Sequence, residues 1–488
     1  MSPKATQQLI PLCVDLDGTL IRTDLLWESV VLLIKQRPWA VLMLPVWLLR
    51  GRAHFKRQIA QRVCFDAASL PYREEALDWL ESERASGRRL VLATATDESL
   101  ARAVADHLGI FAEVLGSNGR VNLKGATKLA ALEQRFGDGF DYAGDSHADK
   151  VIWSRARKAI AMDVSGSMIE ELARTGKLER TFVRQSNPWR LWLRALRWHQ
   201  WSKNLLVFVP VLTSHRILQP TELLLSARMF VAFCCCASAL YLVNDLLDLA
   251  ADRLHPQKRA RPFASGDLPI LAGLLAAPVL LAAAFFVAAP LGITGTLILL
   301  GYAIGSLSYS LRFKSHAPLD VFLLSGLYTI RVVAGGIATH IWLSGWLLSF
   351  SAFLFLSLAF TKRLSELRLL RELNRERSSG RGYLTADLEL VSTFAVGAGF
   401  VAALVLTFYV NSDQVRILYR QPLYLWMLFP VLLYWLTKLW MLAFRGQLAE
   451  DPVSYAIKAP STYWAGGISL LLLVIAKYDF LSSFFQIH

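Results

Sequence analysis

Two groups of acidic residues have the types and spacing of a catalytic or metal-binding site. Asp15 and Asp17 stand in "LCVDLDGTL", directly after an apolar stretch and before a glycine. Asp245, Asp248 and Asp252 stand in "YLVNDLLDLAADRLHPQKRARPFASG", where an apolar run gives way to a basic cluster. Carboxylates in such sets bind divalent cations, act as nucleophiles or transfer protons. The chain therefore carries two candidate sites.

The first group requires the parallel strands of an α/β domain to position it. Apolar runs end at Asp15, at Thr94 and Thr96 in "RRLVLATATD" and at Asp145 in "FDYAGDSHADK", where Asp149 follows. Lys128 stands at the start of a helical stretch in "KGATKLAAL". Open α/β sheets build their sites at the carboxyl ends of the strands, so these side chains are expected to meet there.

These four motifs, in this order, resemble the haloacid-dehalogenase (HAD) superfamily of phosphatases over about residues 9–180. The resemblance implies that Asp15 is the nucleophile, which forms an aspartyl-phosphate, and that Asp17 is the general acid and base. It implies that Thr94 and Lys128 hold the phosphoryl oxygens, with Lys124 as the alternative lysine. The implied ligands of Mg²⁺ are Asp15, Asp17 (through its carbonyl), Asp145 and Asp149.

The composition indicates that much of the chain lies in a membrane. Apolar residues make up 54% of the 488 residues, and the mean hydropathy is +0.39, which is high for a soluble protein. From about residue 204, nine candidate spans are centred near 211, 234, 279, 301, 328, 354, 401, 433 and 473. The net charge is +14, but after residue 250 the basic residues cluster in short loops. That pattern is typical of membrane proteins and argues against nucleic-acid binding.

The basic loops follow the second, fourth and sixth spans, so these loops are predicted to face the cytoplasm. The first ten residues lack the n-region and h-region of a signal peptide. We therefore expect a multi-pass protein of a bacterial-type inner (plasma) membrane. Its N-terminal domain and both candidate sites would be cytoplasmic, and its C-terminus would lie outside.

The predicted fold is a two-part chain. An α/β HAD-like (Rossmannoid) domain with a helical cap is followed by an all-α membrane bundle of about nine helices. The apolar segment 38–49 is too short to span, so it is either a buried helix or a helix resting on the membrane. The predicted domains are 1–182 (cap about 22–85), an amphipathic interfacial linker rich in Trp and Arg at 183–203, and the membrane domain at 204–488.

The second acidic group is predicted to form a metal-diphosphate site. Asn244, Asp248 and Asp252 recur every four residues and Asp245 lies three before Asp248, so on a helix they share one side. Carboxylates in a membrane bundle are costly unless a cation compensates them. Mg²⁺ prefers carboxylates together with phosphate oxygens, and the basic residues that follow would bind the remaining phosphates. The alternative is a solvated helix end on the cytoplasmic side.

This pattern resembles the UbiA superfamily of intramembrane prenyltransferases over about residues 189–488, closest to decaprenyl-phosphate phosphoribosyltransferases. The supporting stretches include "RWHQWSKNLLVFVP", "NDLLDLAADRLHPQKRARPFASG" and "YSLRFKSHAPLDVFLLSGLYTIRVVAGG". The aromatic prenyltransferases of this superfamily carry a second Asp-rich motif in the loop after the fourth span. Here that loop offers only Asp320, which counts against transfer to an aromatic ring.

The resemblance implies that Mg²⁺ on Asp245, Asp248 and Asp252 holds the diphosphate of 5-phosphoribosyl diphosphate. The phosphate of a polyprenyl carrier then attacks ribose C1 and pyrophosphate leaves. For any single basic candidate, a topogenic or headgroup-binding role stays open. The substrate-binding candidates are Lys203, Asn204, Asn244, Arg253, Lys258, Arg261, Tyr309, Lys314, Asp320, Arg331, Lys362 and Arg363.

The presence of a HAD-like domain and a membrane transferase in one chain suggests a bifunctional enzyme. It would make a lipid-linked pentose donor, directed towards arabinofuranose glycans. The membrane half would transfer 5-phosphoribose, and the HAD-like half would remove the 5-phosphate. Two alternatives stay open: a prenyltransferase acting on an aromatic or other lipophilic acceptor, and a membrane-anchored phosphatase whose helices only bind lipid. The sequence leaves the oligomeric state open, a homo-oligomer included.

Overall fold

A computed structural model describes residues 10–137, 139–184, 187–374, 376, 381–448 and 452–478. These residues form two compact units. The first unit holds the described residues up to 196 together with 241–277, and the second holds 197–240 together with the described residues from 278 onward. The acidic stretch of residues 244–252 therefore belongs to the same unit as the HAD-like motifs.

The first unit is built on a six-stranded parallel sheet with the strand order β3-β2-β1-β4-β5-β6. Its central strand β1 is fully buried, which suits the unbroken apolar runs of the sequence. The predicted α/β HAD-like sheet is confirmed. The strands are β1 Leu12–Val14, β2 Leu90–Asp97, β3 Glu113–Ser117, β4 Asp141–Gly144, β5 Ala159–Met162 and β6 Leu178–Phe182.

Helices surround this sheet, and four of them occupy the stretch predicted as the cap. The cap helices are α1 Leu25–Gln36, α2 Leu44–Leu49, α3 Arg52–Ala60 and α4 Glu74–Ala85. The remaining helices up to residue 196 are α5 Glu98–Leu108, α6 Ala126–Phe136, α7 Lys150–Arg155, α8 Gly166–Arg174 and α9 Pro188–Leu196, the last of which lies in the predicted linker.

The apolar segment 38–49 forms a 3-10 helix, Pro38–Met43, followed by α2. Trp47 is buried, but Trp39, Leu42 and Leu49 are 83%, 76% and 89% exposed. The interpretation of this segment as a buried helix is therefore wrong, because most of its large side chains point away from the protein.

Six helical stretches among the described residues are long and apolar enough to cross a membrane. They are Pro220–Leu247, Ile270–Leu311, Leu319–Thr339, Gly345–Glu372, Thr385–Val410 and Pro422–Phe444. These stretches indicate an integral membrane protein. The stretch Ile270–Leu311 contains two of the predicted spans, separated by the turn Ala289–Leu291.

The predicted count of nine spans is not confirmed. Around residue 211 the chain forms a 3-10 stretch, Trp198–Phe208, and the five-residue helix α10 Val209–Thr213, instead of one helix of spanning length. The other helices after α9 are α11 Pro220–Leu247, α12 Leu249–Leu254, α13 Ile270–Ala288, α14 Gly292–Leu311, α15 Leu319–Thr339, α16 Gly345–Glu372, α17 Leu388–Val410, α18 Asp413–Leu418, α19 Leu428–Phe444, α20 Pro452–Lys458 and α21 Pro460–Tyr478.

Candidate functional sites

The HAD-like motifs meet at the carboxyl end of the sheet. Asp15 follows β1 directly, and Lys128 of α6 places its Nζ 2.7 Å from Asp15 Oδ2. Lys128 also donates to the Tyr142 hydroxyl at 2.9 Å, which donates in turn to Asp149 Oδ1 at 2.9 Å. The lysine is 2% exposed, so its ammonium group lies in a fixed position against the Asp15 carboxylate.

Three carboxylates converge as a divalent cation would require. Asp15, Asp145 and Asp149 each offer an oxygen within 4.8 Å of the others, and among the described residues this is the one such acidic group. Burial and the neighbouring negative charges raise the pKa of Asp145 to about 8. Burial raises the pKa of Asp15 to about 6, against the opposing charge of Lys128. Crowded carboxylate oxygens of this kind fit Mg²⁺, which would offset their repulsion.

Asp17 is held by the ends of two elements. Its Oδ1 accepts from the Leu25 N–H at 2.8 Å, and its Oδ2 accepts from the Thr96 hydroxyl at 2.7 Å. Burial is the main cause that raises its pKa to about 6, with a contribution from Asp24. A carboxyl group titrating near neutral pH can both donate and accept a proton.

A close approach explains the glycine of "DLDGT". Gly18 has φ +71°, and a Cβ atom there would lie 1.9 Å from Asp145 Oδ2.

Thr94 is fully buried and accepts from the Thr96 N–H at 3.1 Å. Lys128 is the lysine in contact with Asp15, whereas Lys124 is exposed.

The second acidic group lies where α11 ends and α12 begins. The Asp248 N–H donates to the Asn244 carbonyl at 3.0 Å and the Asp252 N–H to the Asp248 carbonyl at 2.8 Å, so helical spacing continues across the junction. Asp245 and Asp252 are each 3% exposed, and Asn244 and Asp248 are half-buried. The predicted stripe is therefore present on one side of this stretch.

Arg261 joins two members of the stripe. Its Nη1 lies 3.0 Å from Asp245 Oδ1 and 2.6 Å from Asp252 Oδ2. Asp248 is 3.9 Å from the Lys35 ammonium of α1. Carboxylate oxygens suit Mg²⁺, but here a guanidinium lies between Asp245 and Asp252, so a metal there would require Arg261 to move to another anion.

Arg253, a predicted phosphate contact, instead pairs with a carboxylate of the cap. It forms a buried ion pair with Glu28 of α1 and donates to the carbonyls of Ser69 at 3.2 Å and Ala264 at 2.9 Å. Both side chains of the pair are less than 9% exposed. Lys258, by contrast, lies exposed in a short turn.

Within the second unit, Lys203, Asn204 and Arg331 form one aromatic-lined cluster. Arg331 Nε donates to Asn204 Oδ1 at 2.8 Å, and its Nη2 donates to the Tyr302 hydroxyl at 3.0 Å. The Lys203 ammonium lies 5.6 Å from the centroid of the Tyr328 ring. All three predicted residues are buried, so these positive charges are held by polar and aromatic neighbours.

A second cluster in that unit surrounds Asp320. Arg363 Nε lies 2.7 Å from Asp320 Oδ2, and the Tyr383 hydroxyl donates to Asp320 Oδ1 at 2.7 Å. Arg363 also donates to the Tyr309 hydroxyl at 3.0 Å. Asp320 is 0% and Arg363 1% exposed. Lys314 lies in the turn Phe313–Ser315, and Lys362 precedes Arg363 on α16; both are half-buried.

Comparisons with known proteins agree with both halves of this architecture. Residues 207–464 match the UbiA prenyltransferase family. The chain belongs to that family. Residues 12–151 match the haloacid dehalogenase-like hydrolases, so this UbiA-family chain carries an N-terminal HAD-like domain.

Relatives of this UbiA-family chain differ in how much of it they cover. An uncharacterized protein y4nM of Sinorhizobium fredii is 36% identical over 475 residues, which are 96% of this chain and 91% of that protein. The nodulation protein NoeC of Azorhizobium caulinodans is 37% identical over 55% of this chain and 88% of its own length. The decaprenyl-phosphate phosphoribosyltransferase of Mycolicibacterium smegmatis is 37% identical over 42% of this chain and 66% of its own length.

Sequence reasoning missed several polar residues of this UbiA-family chain that contact the predicted ones. Tyr142 bonds to Lys128, and Glu28 and Lys35 of the cap contact the stretch after α11. No motif marks Tyr142, which lies three residues before Asp145 inside β4. Thr96, which stands with Thr94 at the end of its apolar run in the sequence, bonds to Asp17. Glu28 and Lys35 lie more than 200 residues from their partners, and no local pattern signals them.

The affinity of the HAD-like site for Mg²⁺ is expected to fall as the pH decreases from 8 to 6. Protons compete with metal for Asp145 and Asp15, whose pKa values are raised to about 8 and about 6. In the unfolded chain these carboxyl groups have pKa values of about 4, and folding raises them. In the absence of metal, ionised Asp15 and Asp145 therefore lower the free energy of unfolding, and they lower it less as the pH falls and the groups become protonated. Chelation should therefore lower the melting temperature of the full-length protein more at pH 8 than at pH 6. An effect of chelation that does not vary with pH would contradict this.

Replacing Glu28 with glutamine is expected to destabilise the first unit by about 3 kcal/mol, because it leaves Arg253 buried without its counter-charge. The measurement is thermal unfolding of the full-length protein in detergent, with Glu74→Gln as the control, since Glu74 is exposed on α4. Equal melting temperatures for the two variants would contradict the role assigned to the pair.

Proposed function

We propose that the chain is a bifunctional membrane enzyme. The UbiA half transfers 5-phosphoribose from 5-phosphoribosyl diphosphate to a polyprenyl (decaprenyl-type) phosphate, and the HAD-like half removes the 5-phosphate from the product. The observation that carries the proposal is the assembled Asp15–Lys128–Asp145–Asp149 site in a chain whose relatives include decaprenyl-phosphate phosphoribosyltransferases. The product would be a lipid-linked ribose that serves as a pentose donor for arabinofuranose glycans of the cell wall.

The HAD-like geometry supports the phosphatase chemistry. Asp15 attacks phosphorus, and the bond from phosphorus to the 5-oxygen of ribose breaks. Asp17 protonates the leaving oxygen and afterwards takes a proton from the water that hydrolyses the aspartyl-phosphate. Lys128 and Thr94 hold the phosphoryl oxygens, and Tyr142 orients Lys128. Mg²⁺ held by Asp15, Asp145 and Asp149 would supply charge neutralisation, as would Mg²⁺ at the second acidic group.

In the transferase reaction, the bond from ribose C1 to the diphosphate breaks and a bond from C1 to the lipid phosphate oxygen forms. Negative charge develops on the leaving diphosphate, so the oriented charges around it provide most of the catalysis. Asp245, Asp248 and Asp252 would hold the cation that accompanies the diphosphate, and Arg261 would then pair with the phosphate oxygens instead of these carboxylates. We assign phosphate binding to Lys203, Lys258, Lys314, Arg331 and Lys362 as well. The nucleophile is already anionic and needs no general base.

The buried state of Asp320 favours this reaction over prenyl transfer to an aromatic ring. In the prenyltransferase alternative, a second acidic motif would be expected to help bind the prenyl diphosphate. The Asp320 carboxylate is instead bonded to Tyr383 and neutralised by Arg363, which is 1% exposed, whereas the Arg261 that bridges Asp245 and Asp252 is 25% exposed. We therefore assign Asp320, Arg363 and Tyr309 to holding α14, α15 and α16 together.

The experiment uses purified full-length protein in nanodiscs with Mg²⁺, polyprenyl phosphate and labelled 5-phosphoribosyl diphosphate. Mass analysis of the lipid extract is expected to find polyprenyl-phosphoryl ribose without the 5-phosphate. A parallel reaction supplies labelled prenyl diphosphate and an aromatic acceptor. Label that reaches lipid only in the parallel reaction would overturn the proposal and favour the prenyltransferase.

A further inference from the structure

The cap carries an apolar surface that the described protein leaves uncovered. In Pro38–Leu49, the side chains of Trp39, Leu42 and Leu49 are more than three-quarters exposed. The segment itself is packed against the protein through Trp47, which is 6% exposed and lies in a cluster with residues of α1 and α3. The segment thus exposes several large apolar side chains from a backbone that is packed in place, and exposing them costs free energy in water.

The neighbours of this segment are the ends of two membrane-length helices. Leu274 of α13 packs against the same cluster as Trp47. It is the fifth residue of that helix, so it lies about 6 Å along the helix axis from Ile270. Just before the segment, Lys35 donates to the carbonyl of Leu247, the last residue of α11, at 2.7 Å. The segment is therefore packed beside the ends of two helices that are long and apolar enough to cross a membrane.

The chemistry of the segment fits the headgroup layer. Twelve residues are too few to span a bilayer, which needs about 20. Tryptophan prefers the membrane interface, and exposed Arg37, Arg50 and Arg52 flank the apolar residues. Apolar side chains bordered by arginines bind membranes through buried apolar area and attraction to anionic lipids.

We propose that Pro38–Leu49 is inserted in the bilayer interface, where it presents the HAD-like site to phosphate esters carried by membrane lipids. The segment joins α1 and α3, and both helices reach that site. The Leu25 N–H of α1 bonds to Asp17, and Lys56 of α3 donates to the Ala95 carbonyl at 2.6 Å. A site beside an inserted segment receives lipid-borne substrate at high effective concentration. The assignment of a lipid-borne substrate rests on the proposed function, whereas the insertion of Pro38–Leu49 does not.

Photo-crosslinking tests the insertion. Benzoylphenylalanine is introduced at Leu42 or Leu49 of the full-length protein in phosphatidylcholine–phosphatidylglycerol nanodiscs, and at Val151 of α7 as the control, which is exposed and apolar but distant in sequence. Cross-links to phospholipid are expected at the first two positions and not at the third. Cross-links at Leu42 and Leu49 only to a second copy of the chain, or none at all, would overturn the insertion.

Two phosphate esters, one attached to a lipid and one free in solution, test whether the inserted segment serves lipid-borne substrates. Leu42→Glu combined with Leu49→Glu is expected to slow hydrolysis of synthetic polyprenyl-phosphoryl ribose 5-phosphate by about tenfold or more, and to leave hydrolysis of ribose 5-phosphate unchanged. Val183→Glu, which changes an exposed apolar residue after β6, should change neither rate. Equal loss with both substrates, or loss with neither, would overturn the substrate class. A wild-type protein that hydrolyses neither ester would refute the proposed phosphatase, while the cross-links still decide the insertion.

Discussion

Replacing Asp15 with asparagine is expected to lower hydrolysis of the 5-phosphate at least about a thousandfold, since the loss of an enzymatic nucleophile has costs of this size or larger. The amide is a poor nucleophile, so the aspartyl-phosphate cannot form. Lys128 would also lose the charge that now lies 2.7 Å from its ammonium group. With 5-phosphoribosyl diphosphate and polyprenyl phosphate as substrates, the variant should accumulate the phosphoribosyl lipid.

This result requires that the variant folds and still transfers phosphoribose. Its lipid product should carry one more phosphate than that of the wild type, and the total label in lipid should match. Asp106→Asn is the control, because Asp106 is an exposed aspartate of α5. If Asp15→Asn released the dephosphorylated lipid at the wild-type rate, the phosphatase assignment of the HAD-like site would fail.

The HAD-like site could be predicted because its residues are fixed by strand ends. Asp15 and Asp145 follow β1 and β4, which are adjacent in a parallel sheet, so short motifs along the chain specify neighbours in space. The stripe from Asn244 to Asp252 was predictable for a similar reason, because helical spacing places residues four apart on one side.

The structure differs from the sequence-based expectation where partners come from distant elements. The Arg253 guanidinium could have bound a phosphate or a carboxylate, and only the fold brings Glu28 to it. Asp320 likewise finds Arg363 from the next helix. The stretch near residue 211 was interpreted as a span from its apolar residues alone, but it forms only a short α-helix after a 3-10 stretch. Hydropathy reports burial or lipid contact and does not distinguish them.

Replacing Asp248 with asparagine is expected to lower formation of phosphoribosyl lipid at least about a hundredfold. A bound cation contributes several kcal/mol to a reaction that develops negative charge on the leaving group, and each 1.4 kcal/mol corresponds to about tenfold in rate. Asp248 is 26% exposed, whereas Asp245 and Asp252 are each 3% exposed and are bridged by Arg261. It is therefore the carboxylate best placed to receive a cation that arrives with the diphosphate.

Two comparisons separate the loss of this carboxylate from a general loss of structure. Hydrolysis of ribose 5-phosphate by Asp248→Asn should equal that of the wild type, because the HAD-like site keeps its contacts. Asp413→Asn, which changes an exposed aspartate at the start of α18, should retain transfer. Raising the Mg²⁺ concentration should restore part of the transfer in Asp248→Asn, since the remaining carboxylates still bind the cation weakly. Full transfer by Asp248→Asn at low Mg²⁺ would mean that the stripe is only a charged helix end, and the membrane half would then lose its assigned chemistry.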